Sequence, residues 1–101
     1  MHDASDDLLK RRALRLAAKG EYRKAALALR ERAAVLGDAA SWVMAGAMLR
    51  RAGRDGDAIA ALKHGLWLHQ RAGAALRARS VARVIAELDP ADAVAKRYAA
   101  A

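Results

Sequence analysis

With 101 residues the chain has room for one compact domain and one modest core. Hydrophobic residues make up 55% but aromatic ones only 4%, with no phenylalanine, so the core must come largely from Ala, Leu, Val and Met, and the absence of cysteine excludes disulfides, thiolate metal sites and cysteine nucleophiles. The net charge of +8, from 19 Lys and Arg against 11 Asp and Glu, has two readings: an acidic or nucleic-acid partner, or arginine stems that cover the flanks of a small helical domain.

Alanine packing, a single proline and the lack of alternating β-branched runs predict an all-α fold of about six helices in a single domain spanning 1–101. Ser5 is the expected N-cap of the first helix, with Asp6 and Asp7 in its first turn. That helix runs to about Lys19, with Leu9, Ala13 and Leu16 on one face, and Gly20 ends it. The second helix, Tyr22 to Leu36, carries Ala25, Leu29, Ala33 and Leu36 as a stripe closed by Gly37. Asp38 or Ser41 caps the third, which reaches Arg51 and is apolar nearly all round, the pattern of a central helix. After a turn at Gly53, Asp57 is the expected N-cap of a fourth helix, Ala58 to Arg71. Gly73 interrupts, and the fifth helix, Ala75 to Leu88, places Ala78, Val81, Ala82, Ile85 and Leu88 on one side. Asp89 as cap and Pro90 at the first helical position start a short last helix from Ala91 to Ala100, which closes the end of the stack.

One phrase occurs twice, from Gly20 and again 33 residues later from Gly53: a glycine turn entering an alanine-leucine helix. Repeats of that length are helical hairpins that bury their apolar faces by stacking on neighbours. The middle copy, Trp42, Ala45-Gly46, Leu49, Gly53, Ala58 and Leu62, resembles the tetratricopeptide repeat family. A weaker first copy reads Leu9, Arg12-Ala13, Leu16, Gly20, Ala25, Leu29 and Gly37. A third reads Leu62, Gly65-Leu66, His69, Gly73, Ala78, Ala82 and Pro90. Because Gly73 follows Gly53 by only 20 residues, the fourth helix must close the second hairpin and open the third.

The resemblance implies a short solenoid of antiparallel hairpins that binds a peptide of another protein in a groove lined by the first helix of each hairpin. Carried onto this chain, the groove is Lys10, Arg11 and Leu14, then Val43, Met44, Ala47, Arg50 and Arg51, and from the doubled fourth helix Lys63, His64, Trp67 and Arg71. That is an apolar strip with a basic rim, with Met44 and Trp67 as anchors. Each has a plainer reading: Trp67 packed on the fifth helix, Met44 and Met48 as core filler, Arg50 and Arg51 as charges that suit a helix C-terminus. The lysine and asparagine clamp for a terminal carboxylate is not carried over, since the chain has no asparagine.

No catalytic constellation assembles. His64 and His69 lie five apart, off the four-residue spacing of a metal pair; the carboxylates sit at caps and turns, and no nucleophile elbow or phosphate-binding loop is present. We expect no enzyme, no cofactor and no metal. The N-terminus, Met1 to Asp7, is acidic where a signal peptide is basic, and the longest apolar run, Ala39 to Leu49, is short of the roughly 18 residues of a membrane span. The expected protein is cytoplasmic and soluble. It binds an acidic or amphipathic segment of another protein, as an adaptor, assembly factor or chaperone-like partner, and its exposed ends favour self-association or membership of a larger complex. The competing reading is nucleic-acid binding through Arg71, Arg77, Arg79 and Arg83, or through Lys10, Arg11, Arg12 and Arg15.

Overall fold

A computed structural model describes residues 4–100, with side chains from Leu8 onward. Among these residues the backbone forms six helices and no strand: α1 (Ala4–Ala18), α2 (Tyr22–Leu36), α3 (Ala39–Arg51), α4 (Asp55–Arg71), α5 (Ala75–Leu88) and α6 (Ala93–Ala100). Each packs chiefly on the helices before and after it in the chain. The result is a slab of 38 × 32 × 16 Å, about two helices thick. No described helix is long and apolar enough to cross a membrane.

Three of the connections are the same turn. Gly20, Gly53 and Gly73 all adopt the left-handed conformation, at φ 77°, 75° and 71°, which costs a residue without Cβ little. In each, the amide after the glycine returns to the carbonyl four residues before it: Glu21 to Leu16, Arg54 to Leu49 and Ala74 to His69, all at 2.9 Å. This closes the preceding helix in a Schellman motif. The same three residues then open the next helix, their carbonyls accepting from Ala25, Ala58 and Ala78. Hence α1–α2, α3–α4 and α4–α5 are equivalent hairpins, and α4 serves in two of them.

This turn also corrects the expected start of the fourth helix. Arg54 is the N-cap residue, with no side-chain cap bond, and Asp57 lies inside α4, paired with Arg54 at 3.1 Å. At the other end, Asp89 and Pro90 do not begin α6. The Asp89 carboxylate accepts from the Ala91 amide at 3.2 Å in a local turn, and Asp92 caps α6 by accepting from Ala95 at 2.9 Å. A further carboxylate two residues past the proline thus takes the cap. Ser5 falls within α1 rather than before it; its side chain and those of Asp6 and Asp7 lie outside the described residues.

The α2–α3 connection differs. Gly37, at φ 65°, returns its amide to Ala33, and Asp38 caps α3 by accepting from the Ser41 amide at 3.1 Å. Ser41 is not a second cap: it is 0% exposed, and its hydroxyl accepts from Arg32 at 2.7 Å, which satisfies a polar group that burial would otherwise penalise.

α3 is the centre of the fold, since its residues enter all three apolar clusters. Ala45, Met44 and Met48 pack with Ala13, Ala25, Ala28 and Leu29; Leu49 and Trp42 with Ala26, Ala58 and Ala61; Val43 with the α4–α6 cluster around Leu66, Val81, Ile85 and Ala95. Two glycines bring α3 and α4 together. A Cβ on Gly46 would stand 2.7 Å from Leu62 Cγ and 3.3 Å from the Ala58 carbonyl; one on Gly65 would stand 2.7 Å from Val43 Cγ2 and 3.3 Å from the Ala39 carbonyl. Gly65 therefore closes the α3–α4 hairpin, not the α4–α5 hairpin in which the repeat spacing places it.

Two candidate binding faces

The residues expected in a single groove divide between the two broad faces of the slab. In α4, Gly65 points at α3. Trp67 is two residues further, about 200° round the helix axis, so it faces away from α3. Lys63, His64 and Arg71 are exposed with it. The expectation that α4 extends the groove lined by α3 does not describe this geometry, because the face of α4 that packs on α3 is filled by Ala58, Leu62 and Gly65.

On the first face, α3 presents Ala47, Arg50 and Arg51 to solvent between half-buried Val43 and Met44. Met44 and Met48 share a cluster with Ala13 of α1, so α1 lies along one flank, and its Lys10, Arg11 and half-exposed Leu14 are on the surface. On the other flank Arg50 meets Glu87 of α5 at 3.6 Å, and Arg83 and Leu76, one and three turns earlier on α5, are exposed beside it. Arg51 lies over the ring of Tyr22 at 5.0 Å. Val43 belongs more to the core than to the surface, since it fills the space left by Gly65.

The second face carries a row of rings and cations from three helices. Arg30 of α2 lies 5.8 Å from the Trp42 ring. His64 stacks on Trp42 at 4.2 Å with the planes 17° apart, and meets Trp67 edge-on at 6.2 Å. Arg71 closes the row, 4.8 Å over the Trp67 ring. Trp67 is 50% exposed and is not packed into the core. Alongside runs a cleft of about 270 Å³ between Arg30, Trp42, Asp57 and His64. Lys63 stands apart from the row, bound to Asp92 at 2.7 Å. That bond and the Ala95 amide hold the Asp92 carboxyl below its ordinary value, so the tie between α4 and the cap of α6 persists until the pH falls below the usual carboxylate range.

The two histidines of α4 have opposite surroundings. His64 is exposed on the ring row; His69 is 9% exposed, in a cleft of about 430 Å³ bordered by Asp38, Leu68 and Arg77. In the equivalent hairpins its place is taken by Leu16 and Leu49. Burial, and then the positive charge of Arg77, lower the His69 pKa below the ordinary 6.5. The folded protein therefore binds this proton less well than the unfolded chain does. Stability from this site is complete above about pH 6.5 and declines as the pH falls below it, by at most about 1.4 kcal/mol per pH unit. Urea unfolding between pH 5 and 8 should show the decline, and His69→Leu should remove it; an equal slope in both proteins would dissociate it from His69.

The arginines that suggested one phosphate-binding stripe are dispersed. Arg77 is beside His69, Arg83 is on the Glu87 side of α5, Arg79 is half-buried and Arg71 lies on Trp67. On α1, Arg12 turns toward a separate cleft with Leu16, Lys24 and Glu31. The ring row as a whole is not legible in the sequence. Only Trp67 and Arg71, one turn apart on α4, are legible there as a pair; the join to Trp42 and Arg30 is made across helices.

No protein-family model matches this sequence, and no curated protein does.

Proposed function

We propose that the protein is an interaction module that docks an acidic, amphipathic segment of another protein on the face shared by α1, α3 and α5. The observation that carries this reading is the surface of α3: an apolar strip of Met44 and Ala47 with Arg50 and Arg51 at its end, and half-exposed Leu14 on α1. Methionine adapts its shape to varied partners, and a basic rim favours an acidic segment and steers its approach. The Arg50–Glu87 pair is exposed and contributes at most about 1 kcal/mol, so an incoming carboxylate can displace Glu87. The resemblance of Trp42, Ala45-Gly46, Leu49, Gly53, Ala58 and Leu62 to the tetratricopeptide repeat supports the same face. Apolar side chains at the outer helices, such as Leu8 and Val94, are exposed and fit a chain that works as an adaptor or assembly factor within a larger complex in the cytoplasm.

Affinity copurification from the native host should return a defined protein. The double change Arg50→Glu and Arg51→Glu should lower its capture at least tenfold, since like-charge contacts across an interface cost ~1.4 kcal/mol or more. The helical circular dichroism should remain, because both positions are exposed. Undiminished capture would reject the face.

A further inference from the structure

The row on the opposite face has a composition that docking an acidic peptide does not require. Carboxylates need only cations at suitable spacing. Here two guanidinium groups lie on aromatic planes, Arg30 by Trp42 and Arg71 over Trp67, and the His64 ring stacks on Trp42 between them. Both tryptophans of the chain are in this one row, although aromatic residues are only 4% of the sequence. Two carboxylates on this side, Asp57 and Asp92, are already held by Arg54 at 3.1 Å and Lys63 at 2.7 Å, which leaves Arg30 and Arg71 to set the sign of the surface. The whole chain, at +8, adds to it.

We propose that this face, from Arg30 across Trp42, His64 and Trp67 to Arg71, binds single-stranded nucleic acid. Unpaired bases stack on exposed aromatic rings while arginines meet the phosphates, a recognition mode that tolerates sequence. Trp67 is the platform. Its ring is half-exposed and its cover is Arg71, an exposed side chain on the last turn of α4. When Arg71 swings outward, a ring face opens to a base, and the guanidinium is left to stack on the far side of that base or to meet its phosphate. The cleft between Arg30, Asp57 and His64 receives the neighbouring nucleotide. A duplex does not fit this mode, because its base faces are covered by their own neighbours.

The full chain is titrated against a short fluorescein-labelled oligouridylate, with anisotropy as the readout and tryptophan quenching as the second. Saturable binding that weakens with salt is expected, together with quenching of Trp67. Trp67→Ala should weaken the affinity by about tenfold, the effect of one lost stacking contact, whereas Trp67→Phe, which keeps a ring, should retain most of it. Arg71→Ala should weaken binding more than Arg83→Ala, which removes the same charge from the other face. The proposal is overturned if the oligouridylate does not bind at low salt, if duplex or polyglutamate binds as tightly, or if Trp67→Ala binds like the parent. Should Trp67→Ala lose its helicity, Arg71→Ala decides: affinity no weaker than that of Arg83→Ala overturns the proposal.

Discussion

Replacing Gly65 by valine should destabilise the fold by about 3 kcal/mol or more, the range of severe overpacking, and urea unfolding followed by circular dichroism should register a large fraction of the protein's stability as lost. The first added carbon alone would stand 2.7 Å from Val43 Cγ2, 3.3 Å from the Ala39 carbonyl and 3.5 Å from the Val43 amide. None of these yields cheaply. Val43 is β-branched and confined to one rotamer in a helix. The Ala39 carbonyl belongs to the first turn of α3, which Asp38 pins through the Ser41 amide. The gain in helix propensity on leaving glycine is only about 1 kcal/mol, too little to offset the clash. Gly46 is held as closely, by Leu62 Cγ and the Ala58 carbonyl, so Gly46→Ala should also destabilise, though less. Gly56 is the control. It lies in the first turn of α4 with nothing near its missing Cβ, and Gly56→Ala should stabilise by up to about 1 kcal/mol. If Gly65→Val were as stable as the parent, α3 and α4 would not approach as described.

The helix boundaries that were legible are those fixed by the backbone of the turn. α2 and α5 begin two residues after Gly20 and Gly73, and both starts follow from the sequence. The same offset from Gly53 gives Asp55, the observed start of α4; favouring Asp57 as a cap displaced it by three residues. The residue whose carbonyl opens each of these helices is fixed by the Schellman bond before it, so α4 begins at the turn and Asp57 falls inside it rather than at its cap. At α6 no such turn exists. Two carboxylates, Asp89 and Asp92, stand near the free amides, and the one that caps, Asp92, is also the one paired with Lys63 of α4. That is information from outside the segment.

The candidate faces divide for a similar reason. The stripes of α3 and of α4 were each legible as helical patterns. Which side of α4 turns to α3 is decided by Gly46 and Gly65, and the repeat spacing places Gly65 in a different hairpin. Once Gly65 faces α3, the exposed set Lys63, His64, Trp67 and Arg71 has to leave the groove.

Ile85→Ala should cost about 2–5 kcal/mol, as large-to-small changes at fully buried positions do. Ile85 is 0% exposed, and the buried residues of its cluster, Leu62, Leu66, Ala78, Val81, Ala82 and Ala95, come from α4, α5 and α6, with Val43 of α3 packed against them. The cavity has little way to collapse on the side of Ala78, Ala82 and Ala95, whose short side chains cannot reach into it. The location of the loss is the more informative quantity. In a fold where each helix packs chiefly on its neighbours in the chain, stability approximates a sum of local and nearest-neighbour contributions, so one end can open while the other remains folded. Hydrogen exchange should therefore show the protection of α5 and α6 falling sharply in the variant, with α1 and α2, whose contacts run through Ala13, Ala25, Leu29 and Ala45, changed little. α3 is the junction, since Val43 touches the damaged cluster and Met44 the intact one. A uniform loss of protection along the whole chain would mean that the three clusters act as one cooperative core, and that the slab folds as a single unit in spite of its sequential packing.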